Sequence, residues 1–144
     1  MTLAEKQQRL LAELAALPDA ATRLTWLIEQ ARARVMLPAE QRVDANRVEG
    51  CLSKLWFVAE FRDGLCWFRS ESDSLIVKSI AGLVTDFYNG RTAAEILKHE
   101  PEFLSAVGLS HHFTASRRNA MGRVWEKMRT FAEQHLPQPA VPAK

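Results

Sequence analysis

Leu52-Ser53-Lys54-Leu55-Trp56-Phe57-Val58-Ala59-Glu60-Phe61, then Arg62-Asp63-Gly64, then Leu65-Cys66-Trp67-Phe68-Arg69-Ser70 is the stretch on which the fold class turns. Both flanks are rich in aromatic and β-branched residues, and the Asp-Gly pair between them is the signal of a tight β-hairpin, so two antiparallel strands are predicted over Leu52–Phe61 and Leu65–Ser70. Strand side chains alternate, which puts Leu55, Phe57, Ala59 and Phe61 on one face, with Cys66 and Phe68 together on the partner strand. Cys66 therefore reads as a core thiol, since free buried cysteines behave as small hydrophobes.

Immediately upstream lies Asn46-Arg47-Val48-Glu49-Gly50-Cys51, where an irregular approach meets the first strand. Gly50 tolerates backbone angles that a residue with a Cβ resists, so the chain turns there and carries Cys51 at a loop tip. Two readings of Cys51 stand side by side: a working thiol, or one more buried hydrophobe. From Leu37-Pro38 to Glu49 no periodicity holds, so a long irregular connection is predicted, with a short third strand near Asn46–Val48 beside the hairpin.

Helices fill the rest. Thr2 with Glu5 has capping-box spacing ahead of Leu3, Leu10, Leu11, Leu14 and Leu17, and Pro18 closes that helix. Asp19 caps a second, with Leu24, Leu27, Ile28 and Ala31 at helical intervals. After the hairpin, Ser72 or Asp73 is predicted to cap a helix whose Ile76, Ile80, Leu83, Val84 and Phe87 form a core stripe ending at Asn89-Gly90. Thr92 with Glu95 starts a short helix and Pro101 opens another. Thr114 or Ser116 caps the last, which buries Met121, Val124, Trp125, Met128 and Ala132. The expectation is one α+β domain over residues 1–136, a small antiparallel sheet of about three strands packed with helices, and a frayed proline-rich tail at 137–144.

With 144 residues, 47% hydrophobic and 25% charged, the composition is that of an ordinary globule. A net charge of +2 spread over both signs argues against nucleic acid or an anionic membrane surface as partner. The N-terminus lacks the apolar core of a signal peptide and no apolar run reaches membrane-spanning length, so a cytoplasmic location is expected. Two cysteines make no disulfide framework there, and both are expected as thiols. Nor do two distant cysteines and scattered histidines have zinc-site spacings, and no glycine-rich phosphate loop is present, so neither metal nor cofactor is expected.

A reactive cysteine wants a cation or a helix N-terminus nearby, and Arg47, Lys54, Arg117 and Arg118 are candidates. His111-His112 offers a base for a Cys-His hydrolase, without a recognisable nucleophile motif or an orienting third group. A non-catalytic interaction module is the remaining alternative.

Three segments in order carry a family pattern: Val48-Glu49-Gly50-Cys51-Leu52-Ser53-Lys54-Leu55-Trp56, then Ser72-Asp73-Ser74-Leu75-Ile76-Val77-Lys78-Ser79, then Gly108-Leu109 through Ser116-Arg117-Arg118-Asn119. The chain resembles the SufE/CsdE family of sulfur acceptors, from the Trp26-Leu27-Ile28 helix through the last helix. Ala115 and Ala120 stand where the family usually has proline and glycine. The resemblance implies an α+β fold similar to the U-type cluster scaffolds. It also implies that Cys51 takes sulfane sulfur as a persulfide from a pyridoxal-phosphate-dependent cysteine desulfurase (SufS/CsdA type). The sulfur then passes to an iron–sulfur scaffold or other acceptor, and the chain has no desulfurase activity of its own. Arg117, Asp73 and Gly50 become the expected partner contacts. A loop thiol suits such a relay, because attack at sulfur needs thiolate character rather than an oxyanion hole. Leu52 and the nearby apolar faces are expected to shelter the sulfur at rest.

Overall fold

The computed structural model describes residues 1–107 and 112–137. The connector Gly108–His111 and all of the expected tail but Pro137 lie outside them. The order is α1 (Leu3–Ala15), α2 (Ala20–Ala33), two 3₁₀ turns (Ala39–Gln41 and Asp44–Asn46), β1 (Leu55–Arg62), β2 (Leu65–Ser72), α3 (Leu75–Tyr88), α4 (Ala93–Leu97), a 3₁₀ turn (Glu102–Ala106) and α5 (Ala115–Gln134). It is an α+β arrangement: an antiparallel hairpin with helices packed against it.

β1 and β2 pair from Leu55↔Ser72 to Arg62↔Leu65 around a two-residue turn. Asp63 (φ +54°) and Gly64 (φ +77°) both take the left-handed region, as a type I′ hairpin turn requires. On the inner face Leu55, Phe57, Cys66 and Phe68 are buried, with the Phe57 and Phe68 rings stacked at 5.7 Å. Helix α3 packs on β2 and on α2, while α5 runs past β1 and α4. The core where these meet includes Leu27, Ile80, Val84, Phe87, Tyr88, Val124 and Met128.

The sheet differs from expectation in two ways. Among the described residues it has two strands rather than about three: the approach contributes one bridge, Arg47↔Trp56, with the Val48 N–H donating to the Leu55 carbonyl at 2.8 Å. The 3₁₀ turn at Asp44–Asn46 precedes that bridge and the left-handed Gly50 follows it, so no extended run long enough for a strand survives between them. β1 also begins at Leu55 rather than Leu52, because the Lys54 backbone is bonded to the start of α3 instead of to a ladder. The α3 cap is Ser74, whose Oγ accepts from the Val77 N–H; Ser72 and Asp73 serve other bonds. Val77 takes the buried place predicted for Ile76.

Other start signals fold as read. The Thr2/Glu5 and Thr92/Glu95 capping boxes close at both ends, Asp19 caps α2, and Thr114 caps α5. Among the described residues no helix is long and apolar enough to cross a membrane.

Candidate functional site

Cys51 lies on a five-residue bridge, Glu49–Ser53, held at both ends. Upstream, the Val48 N–H bonds to Leu55. Downstream, Lys54 is clipped to the α3 entrance by three bonds: its N–H donates to Asp73 Oδ1 (2.9 Å), and its carbonyl accepts from Ser72 Oγ (2.6 Å) and from the Asp73 N–H (3.2 Å). Ser72 Oγ accepts in turn from the Ser74 N–H (3.1 Å). The Ser-Asp pair thus works as a clip for the cysteine loop, which local helix-cap signals do not distinguish from a cap. Between the anchors Gly50 turns at φ +79°.

The loop holds Cys51 partly buried against the core and leaves Leu52 89% exposed. Leu52 therefore does not shelter the sulfur. The chain bends at Leu52 and Ser53, directly after Cys51. Burial raises the Cys51 thiol pKa above the ordinary value, and the guanidinium groups of Arg123 and Arg47 pull against that rise. Cys66 is fully buried on β2, where burial alone pushes its pKa up. Both thiols are free.

Beside the loop an open groove of about 980 Å³ runs between the approach and α5, lined among others by Arg47, Glu49, Phe57, Val58, Arg123 and Lys127. A Cβ placed on Gly50 would stand 3.4 Å from Nε and Nη2 of Arg123, so the guanidinium rests directly over the glycine.

Of the expected site residues, Gly50, Cys51 and Asp73 come together through the loop and its clip. Arg117 braces the start of α5: its Nη1 donates to the His112 carbonyl (2.7 Å) and its N–H to Thr114 Oγ1 (3.3 Å). Arg118 lies 5.8 Å over the Phe113 ring. The cation that the fold brings to Gly50 is Arg123, one helical stretch further on, and no local sequence pattern marks it. Ala115 fills the first turn of α5 without disturbing the Thr114 cap. Of the histidines, His99 bonds Gln7 and packs on Phe87, and His135 stacks on Phe61 and Phe131; His111 lies outside the described residues. Among the described residues no group of three or more His, Cys, Asp or Glu side chains is placed to hold a metal ion.

The SufE family, described as an Fe-S metabolism associated domain, matches residues 8–132. The chain belongs to the SufE family. A SufE-like protein of Synechocystis is 34% identical over 93 residues, 65% of this chain and 58% of that protein. A Plasmodium falciparum protein named cysteine desulfuration protein SufE is 28% identical over 69% of this chain and 42% of its own length. The chain thus spans about half the length of these two relatives. A solution structure of a hypothetical protein from Thermus thermophilus shares the fold, with a TM-score of 0.74 over 90% of this chain and 95% of that one at 22% identity.

Proposed function

We propose that this SufE-family chain is a sulfur acceptor and activator of a pyridoxal-phosphate-dependent cysteine desulfurase, with Cys51 as the accepting thiol. The observation that carries this reading is the contrast between the two thiols: Cys51 sits partly accessible on an anchored loop beside an open groove, while Cys66 is sealed in the core. The Cys51 thiolate attacks the outer sulfur of the desulfurase persulfide. A new S–S bond forms at Cys51, the partner's S–S bond breaks, and its electron pair leaves on the partner's cysteine thiolate. The transfer is redox-neutral and asks of this chain no cofactor. The persulfide is then passed by the same exchange to an iron–sulfur scaffold or other acceptor. The setting is the cytoplasm, where both thiols stay reduced, and residues 1–136 act as one SufE-like domain.

Gly50, Asp73 and Arg117 are proposed to contact the desulfurase. Asp73 has a second duty in the clip, so Asp73→Asn, which keeps an acceptor oxygen for Lys54, separates its charge from its hydrogen bond.

Intact-mass measurement after incubation with desulfurase, free cysteine and pyridoxal phosphate tests the reading. The wild-type chain and Cys66→Ser are expected to gain one sulfur atom, and Cys51→Ser none. Sulfur on Cys66, or on neither cysteine, overturns it.

A further inference from the structure

We infer that Arg123 is a positioning residue for the Cys51 sulfur: its guanidinium, standing over Gly50, favours the anionic form of that sulfur over the neutral thiol. The inference deepens the proposed relay and rests on Cys51 being the acceptor.

Arg123 projects from α5, an element of twenty residues whose Val124 and Met128 are fully buried, so its base is fixed by the core. Its guanidinium lies over the Cα of Gly50, the residue before the thiol. A Cβ at position 50 would come into van der Waals contact with that group and would strain the left-handed backbone. Among the described residues the Arg123 head forms no ion pair, although Glu49 and Glu126 line the same groove. Its positive charge is therefore not cancelled by a bound carboxylate. Arg9 and Arg129, also exposed on helices, are each paired to a glutamate four residues on.

The charged groups around the loop come from every side of it. Arg47 and Glu49 stand on the approach, Lys54 and Asp73 at the clip, and Arg123, Glu126 and Lys127 on α5. Of these, Arg123 and Arg47 act on the thiol, and both favour its charged form against the opposing effect of burial. The sulfur carries negative charge at two moments of the relay: as the attacking thiolate, and again as the ionised persulfide awaiting an acceptor. A cation held beside the loop favours both. Arg47 stands at the upstream end of the loop, in its bridge to Trp56, whereas Arg123 reaches the loop from a separate element, α5.

The test is the rate of iodoacetamide alkylation at Cys51, followed by peptide mass against pH in the full chain. In Arg123→Gln the midpoint of the rate profile is expected to move to higher pH, with alkylation at neutral pH slowed by about threefold. Arg123→Lys is expected to retain most of the wild-type profile, and raising the salt concentration to shrink the difference between wild type and Arg123→Gln. Were Arg123 merely a weight on the loop, its removal would speed alkylation at every pH and leave the midpoint alone. That result, or an unshifted midpoint of any kind, overturns the inference. Sulfur uptake from the desulfurase is read separately by intact mass of the wild-type chain. Normal uptake with an unshifted midpoint removes Arg123 and leaves the relay; a shifted midpoint without uptake removes the relay and keeps the effect of Arg123 on the thiol.

Discussion

The hairpin and the loop that enters it hold one cysteine each, by opposite means. Cys66 is sealed by side-chain packing on top of its backbone bonds to Arg91 and Gly90: it is fully buried in the core, opposite Phe61 across the ladder. Cys51 is fixed by backbone hydrogen bonds at the two ends of its loop, with an exposed leucine beside it and a charged groove alongside. Packing makes a site that is stable and inert. End-anchoring makes one that is located but not sealed, and the proposed sulfur exchange needs the second kind.

The comparison breaks most readily at the packed side. Phe68→Ala removes a ring that stacks on Phe57 and meets Phe131 edge-on, and is expected to cost about 3–5 kcal/mol in urea unfolding. Leu52→Ala, at the exposed position, is expected to change stability by about 0.5 kcal/mol or less. Similar costs for the two would mean that the loop is packed after all.

Smaller effects sharpen the anchored side. Gly50→Ala forces a Cβ into left-handed backbone and is expected to cost about 1–2 kcal/mol. Asp73→Ala opens one bond of the clip, for about 1 kcal/mol, and should speed Cys51 alkylation, whereas Asp73→Asn should leave both near wild type. Equal behaviour of the two Asp73 variants would show that the carboxylate charge, and not its bond to Lys54, holds the loop.

The smallest effect lies in the pH dependence of Cys66. Its folded pKa is raised by burial, so between its unfolded and folded values the native state binds more protons than the unfolded state. Its contribution is therefore fully present below the ordinary thiol range and is lost as pH rises from that range through the raised folded value. Alkaline denaturation of Cys66→Ala should begin from a lower stability but decline less steeply than wild type. Parallel curves would remove Cys66 from the account.

Where the fold was legible, the signal was local. The Asp63-Gly64 turn and the Thr2/Glu5 and Thr92/Glu95 boxes each act within a few residues, and the structure forms them where their side chains place them. What did not read through depended on long-range meetings. Ser72 and Asp73 look like caps from within their own segment, and only the return of Lys54 turns them into a clip. The third strand failed because Val48 finds a partner in Leu55 while the turns on either side do not continue it. Buried Glu71 collects the Leu37 N–H (3.3 Å) and the Lys78 ammonium (3.0 Å), which ties the long connection to the sheet–helix junction; nothing around Glu71 announces that. Arg123 belongs to the same class, as one more exposed helical arginine until α5 crosses the loop.

The two anchors also set a leash. Cys51 stands three residues from Val48 on one side and three from Lys54 on the other, and fully extended chain covers at most about 3.5 Å per residue. With both tethers fastened the sulfur-bearing residue stays within roughly 10 Å of either post. A thiol on so short a leash cannot travel down a deep channel to collect its cargo. In the proposed relay the donor must bring its sulfur most of the way on a limb of its own, or the clip at Asp73 must let go first.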